Sequence, residues 1–172
     1  MPDVFTKAKR SEVMSRIRSR GNKDTELALM RVFRAHGITG WRRQRKLRVE
    51  GLRVESRKGS TSPRPSPQRG EGEAFSVRPD FVFPKLRLAL FVDGCFWHAC
   101  PLHTTKPRNN AAFWRKKFAA NKARDRLVAR TLRARGWRVL RIWEHELARG
   151  NTTRLLRRIR HALTSLRTGR CR

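Results

Sequence analysis

The ten residues Gly94-Cys95-Phe96-Trp97-His98-Ala99-Cys100-Pro101-Leu102-His103 constrain the fold more than any other stretch of this chain. Cys95, Cys100 and His103 stand in C-x4-C-x2-H spacing, three soft or borderline ligands within reach of one tetrahedral Zn²⁺. Such an ion needs a fourth ligand. His145 can supply it from far along the chain, which would pin the last strand to this loop. The same spacing also suits two buried free cysteines beside a surface histidine. The third cysteine, Cys171, stands next to the last residue, and three cysteines of this spacing do not make a disulfide framework. His98, between the metal-ligand candidates, suits a general base better than a fourth ligand; its bland alternative is an ordinary hydrogen-bonded histidine.

Charge narrows the partners. Lys and Arg number 43 against 13 Asp and Glu, a formal net charge of +30 over 172 residues. Self-repulsion on this scale calls for a polyanion, with nucleic acid first and an acidic membrane surface second. Apolar residues make up 38%, enough for a core, and the length suits a single domain over 1–172. The N-terminal residues carry no apolar run of signal-peptide length, and nowhere do about 18 apolar residues follow one another. A soluble intracellular protein is expected.

Composition breaks sharply once, over 56–73, where Ser, Pro, Gly and charge dominate. That stretch can build neither strand nor helix and reads as a flexible insert, 51–76 at its widest. Before it, Asp24 or Thr25 can cap a helix whose apolar positions Leu29, Met30 and Phe33 recur at helical spacing, and Gly37 ends it. Strands are expected over 41–49, 80–83, 86–92 and 138–143, with Pro84-Lys85 turning the second into the third as a hairpin. A long helix capped by Asn110 should run to Arg135 and put Trp114, Phe118, Asn121, Asp125, Val128 and Leu132 on one face. A last helix over 152–166 turns Leu155, Leu156, Ile159, Leu163 and Leu166 inward and Arg outward. With the tail to 172 it makes a basic C-terminal unit. This order predicts an α/β fold with a mixed central sheet flanked by helices.

Several acids fall where such a fold could gather them. Glu26 shares a helix face with Leu29, Met30 and Phe33, although a Glu in a first helical turn also simply complements the macrodipole. Asp80 opens one strand of the expected hairpin and Asp93 closes the other, which brings two carboxylates to neighbouring positions at one end of the sheet. Paired acids there can hold Mg²⁺, a hard cation that prefers oxygen; Asp at strand ends is also common turn chemistry. Phe96 and Trp97, with Trp114 at the start of the next helix, are core residues or wedges between base pairs.

Taken together, these residues resemble the very-short-patch mismatch repair endonucleases, a bacterial family with a restriction-endonuclease-like fold. The match runs through Met14-Ser15-Arg16-Ile17-Arg18, Asp24-Thr25-Glu26-Leu27, Arg78-Pro79-Asp80-Phe81-Val82-Phe83-Pro84, Phe91-Val92-Asp93-Gly94-Cys95-Phe96-Trp97-His98, Phe113-Trp114, Arg124-Asp125-Arg126 and Gly136-Trp137-Arg138-Val139-Leu140. It covers about 5–50 and 77–148. The resemblance implies nicking of one DNA strand beside the thymine of a T:G mismatch left by deamination of 5-methylcytosine. It implies Asp80 as the main Mg²⁺ ligand, a backbone carbonyl near Val92 as a second, and His98 as the base that activates water. Asp93 would bind metal or orient water, with Glu26 and Asp125 as supporting acids. Cys95, Cys100, His103 and His145 would surround a structural zinc. Phe96, Trp97 and Trp114 would enter the DNA, and Met14, Arg16, Arg18 and Arg126 would contact it, the first three from a basic arm over 1–22.

The expectation is therefore a monomeric, zinc-stapled, Mg²⁺-dependent DNA endonuclease of the bacterial cytoplasm and nucleoid. Its partners would be mismatched double-stranded DNA and other mismatch repair proteins, with no membrane. A non-catalytic zinc DNA-binding module or a basic ribosome-associated structural protein would share the charge. Neither needs the acids and His98 near one point.

Overall fold

The computed structural model describes residues 12, 25–49, 75–105, 107 and 110–164. The N-terminal arm with Met14, Arg16 and Arg18, the stretch 50–74 and the tail beyond 164 lie outside the described residues.

Helix α1 (Glu26–Ala35) leads into strands β1 (Arg42–Arg43) and β2 (Leu47–Val49), followed by β3 (Phe75–Val77), β4 (Phe81–Phe83) and β5 (Leu88–Asp93). Helix α2 (Ala111–Ala134), strand β6 (Arg138–Trp143), two short 3₁₀ turns (Glu144–Leu147 and Arg149–Asn151) and helix α3 (Thr152–Thr164) complete the order. The main sheet runs β1-β4-β5-β6, and β2 with β3 forms a separate two-stranded sheet. The β1/β4 and β4/β5 pairs are antiparallel and β5/β6 is parallel, so the sheet is mixed as expected. A parallel pair needs a long crossover, and α2 provides it between β5 and β6.

Strand alternation divides the core between the two faces of the sheet. Phe81, Phe83, Leu88, Leu90 and Ile142 pack with Leu29 and Phe33 of α1 and with Leu155, Leu156 and Ile159 of α3. The opposite parity, Val82 and Ala89 with Val139 at the margin, packs on Val128 and Leu132 of α2. Phe33 is fully buried, with ring centroids 5.1 Å from Phe81 and 5.8 Å from Phe83, both edge-on. Phe33→Ala should therefore cost about 3–5 kcal/mol, the loss of a core phenyl plus its cavity. Urea denaturation of the variant beside wild type measures it.

Both long helix ends that precede a strand close on glycine. Gly37 and Gly136 take φ +64° and +74°, and Ile38 N–H and Trp137 N–H donate back to Phe33 and Leu132 carbonyls, each at 2.9 Å. A residue with Cβ is strained there, which is why glycine stands just past each end.

Four expectations are corrected. The strand expected over 41–49 breaks at Gln44, whose φ of 48° no strand tolerates, so β1 and β2 belong to different sheets. Thr25 and Asn110 precede α1 and α2, but neither side chain caps its helix; Asn110 instead takes a left-handed conformation, φ 54°. Phe75 and Ser76 pair with β2, which removes them from the stretch expected to be insert. The hairpin turn spans Pro84 to Arg87, with Leu86 N–H donating to the Phe83 carbonyl at 3.2 Å and Arg87 at φ 46°.

Candidate active site and metal group

The chemistry gathers where β4 begins, β5 ends and the loop after β5 starts. Phe81 pairs with Leu90, so position 80 falls beside Phe91 rather than directly opposite Asp93. Asp80 reaches across instead, and its Oδ2 accepts the Val92 N–H at 2.7 Å. Burial, with the charges of Glu26 and Asp93 adding to it, pushes the Asp80 carboxyl up from 3.8 to about 6. Among the described residues no basic side chain forms a salt bridge to it.

Glu26 does not share that condition. Buried at the start of α1, its Oε2 accepts from Gln44 Nε2 at 2.7 Å and from Arg43 Nη2 at 3.1 Å. The Gln44 N–H donates to the Asp80 carbonyl at 3.0 Å, so the left-handed turn at Gln44 ties the Glu26 side chain to the Asp80 backbone. Sequence reasoning missed Gln44, because nothing in Arg43-Gln44-Arg45 signals a positive φ.

On the α2 face of the sheet, His98 Nδ1 meets Asp125 Oδ2 at 2.7 Å and Asp93 Oδ1 at 3.7 Å. Burial works against a charged His98, but the Asp125 hydrogen bond and the charges of Asp93 and Asp125 outweigh it and hold its pKa above the ordinary value. Asp125 is held below the usual carboxylate range, burial being outweighed by His98 and Arg141. With Nδ1 engaged, Nε2 is the nitrogen that can take a proton from water. Asp93 is buried, and both its oxygens accept from Arg141, whose Nη2 also lies 3.0 Å from Asp125 Oδ1. Asp93 is thus an ion-pair partner, whereas Asp80 has no salt bridge among the described residues. Arg141 also escaped sequence reasoning, although a signal existed: in β6 it has the parity of Val139, so a charge stands on a core face.

Cys95, Cys100, His103 and His145 offer four ligand atoms that all lie within 4.8 Å of one another. His145 Nδ1 stands 3.3 Å from Cys95 Sγ and 3.7 Å from Cys100 Sγ, and His103 Nδ1 is 3.8 Å from Cys100 Sγ. A tetrahedral centre with bonds of about 2.3 Å to sulfur and about 2.0–2.1 Å to nitrogen has S···N edges of about 3.6 Å. The donor set and its spacing can therefore hold a metal ion. Glu144 Oε2 accepts the Cys95 N–H at 3.0 Å and orients one ligand.

The three expected wedge residues come together. Phe96 packs edge-on against Trp97, Trp114 and Phe118 with centroids 5.2, 5.1 and 5.6 Å away. All four are half-buried, and Asn121 Nδ2 fixes the Trp97 carbonyl at 2.7 Å. Beyond Asp125, Arg126, Arg130, Arg133 and Arg141 line a cleft of about 650 Å³. No helix of the described residues is long and apolar enough to cross a membrane.

Residues 68–104, which hold β3 to β5 and the Cys95 to His103 loop, match the family described as DNA mismatch endonuclease Vsr. The type II nicking enzyme V.NaeI of Lentzea aerocolonigenes is 49% identical over 75 residues, covering 44% of this chain and 45% of the relative. The DNA mismatch endonuclease Vsr of Escherichia coli K12 is 41% identical over 83 residues, covering 44% and 53%. These matches span about half the length of each relative. The type II nicking enzyme V.NmeAIP of Neisseria meningitidis serogroup A is 31% identical over 170 residues, 95% of this chain and 100% of the relative. On that full-length similarity, the chain belongs to the Vsr DNA mismatch endonuclease family.

Proposed function

We propose that the protein is a Mg²⁺-dependent DNA endonuclease that nicks one strand beside the thymine of a T:G mismatch and so starts very-short-patch repair. The observation that carries this reading is the gathering, at one sheet end, of a half-buried carboxylate to which no basic side chain of the described residues forms a salt bridge and a histidine oriented by a second carboxylate. Asp80 fits a hard cation, because a positive charge there offsets the cost of its burial. A Mg²⁺ bound to Asp80, with a backbone carbonyl near Val92 as a second ligand, would offset charge developing on the scissile phosphate. His98 Nε2 then removes the proton from the attacking water, and Asp125 holds the imidazole in place. Glu26 keeps the Asp80 backbone in register through Gln44.

Cys95, Cys100, His103 and His145 would hold zinc, whose four protein ligands leave no open position and make it structural. Held there, the ion would fix the loop bearing Phe96, Trp97 and His98. Those rings and Trp114 form a unit able to enter the base stack at a mismatch, where unstacking costs least.

The cleft beside Asp125 suits the strand backbone. Arg126, Arg130 and Arg133 share one face of α2 and span about 10 Å along its axis, close to three nucleotide steps of about 3.4 Å. Among the described residues none of the three has a carboxylate partner. Replacing all three by Gln should flatten the plot of log K against log salt by about 0.9 for each phosphate no longer neutralised. Fluorescence anisotropy on a labelled duplex reads the slope.

The reading is tested by incubating the full chain with T:G and matched C:G duplexes in Mg²⁺ or without it. Nicking of the T:G duplex that requires Mg²⁺ is expected. Binding without cleavage under every metal condition would instead favour a non-catalytic DNA-binding module.

A further inference from the structure

We propose that Arg141 is a positioning residue for His98: its guanidinium bridges Asp93 and Asp125, the two carboxylates that flank the imidazole. The proposal rests on the nuclease reading above and deepens it. Arg141 lies on β6, Asp93 ends β5 and Asp125 stands midway along α2, so the bridge ties together three elements at the end of the sheet that carries His98. Nε and Nη2 take both oxygens of Asp93, and Nη2 reaches Asp125 Oδ1 at 3.0 Å. That leaves Asp125 Oδ2 for His98 Nδ1 at 2.7 Å.

The planar fork suits this task, because it can hold one carboxylate through two nitrogens while still reaching a second. The guanidinium is itself seated by the protein, with its carbon 5.3 Å from the centre of the Phe91 ring. Its backbone is held too, since Arg158 Nη2 donates to the Arg141 carbonyl at 3.1 Å. Without the bridge, His98 on its loop would be the one ion-pair partner left to Asp125 among the described residues, and the imidazole would be free to swing with it. The bridge also takes both Asp93 oxygens out of competition for His98 Nδ1, so Asp125 sets the ring orientation. Although Arg141 lines the cleft with Arg126, Arg130 and Arg133, its Nε and Nη2 are taken by the two carboxylates, and it acts on the base through Asp125.

Arg141→Met alone leaves the buried Asp93 charge uncompensated and can unfold the protein. The test is therefore the pair Asp93→Asn with Arg141→Gln, which removes both charges together. Two readouts are taken on zinc-loaded protein beside the wild type: nicking kinetics on the T:G duplex, and the downfield proton signal of the His98 imidazole hydrogen-bonded to Asp125. The folded double variant should lose about 10²-fold in kcat, the scale of a catalytic group displaced by about 1 Å. KM should stay within roughly threefold, because the Arg141 nitrogens that are removed are engaged by Asp93 and Asp125 rather than left open to a phosphate. The imidazole signal should broaden or vanish. A folded double variant with wild-type kcat and an unchanged imidazole signal would overturn the proposal, as would a rise in KM alone, which would make Arg141 a DNA contact. If wild-type protein fails to nick, the nuclease reading fails, and the imidazole signal still decides whether Arg141 holds His98.

Discussion

Asp80→Asn is expected to reduce nicking by about 10³-fold or more while making the Mg²⁺-free protein more stable at neutral pH. The loss follows from the ligand's charge, since several kcal/mol of transition-state stabilisation depend on it. The gain in stability follows from its burial. The carboxyl titrates near 6 in the fold against 3.8 ordinarily, so folding favours its protonated form. Its contribution to stability is fully present below the unfolded pKa and is lost as pH rises through about 6. Asn, which is neutral throughout and can still accept the Val92 N–H, should therefore match wild type near pH 4 and exceed it by about 2–3 kcal/mol above pH 7. Mg²⁺ should close the gap by stabilising wild type alone. Thermal melts at acid and neutral pH, with and without Mg²⁺, read both effects. Equal Mg²⁺ stabilisation of the two proteins would place the ion elsewhere.

His145→Ala is expected to remove most bound zinc and, with it, the order of the 95–103 loop. Structural zinc contributes about 10–16 kcal/mol of binding free energy, which is folding free energy where the site does not exist unfolded. Losing one of four ligands forfeits several kcal/mol of that. The melting temperature should fall together with metal content, and nicking should fall too, because Phe96, Trp97 and His98 ride on the same loop. Metal content is measured by mass spectrometry on protein purified without a polyhistidine tag. A full equivalent of zinc in the variant would reject His145 as ligand; zinc-free wild type that is folded and active would reject the site.

Periodicity and ligand spacing made much of this site legible in the sequence. Steps of three and four along α2 put Asp125 on the face of Val128 and Leu132, which is where it meets His98. C-x4-C-x2-H with His145 anticipated the group that converges. The backbone conformation at Gln44 stayed hidden, because its left-handed turn goes with tertiary bonds to Glu26 and Asp80 rather than with residue type. The Asp93–Arg141 pair stayed hidden for another reason. In a chain of 33 arginines, one more carries no signal of its own until strand parity turns it toward a buried acid. β3 was lost because its three residues border a stretch dominated by Ser, Pro and Gly.

The central claim is strand-specific cleavage at a mismatch, and end-labelled duplexes test it most directly. One T:G duplex carries its label on the T strand, a second on the G strand, and matched C:G and T:A duplexes serve as references, all with Mg²⁺. The account predicts a single labelled product from the T strand, cut at the bond beside the mismatched thymine, with the G strand and both matched duplexes intact. Cleavage of both strands, or equal cleavage of matched DNA, would contradict it.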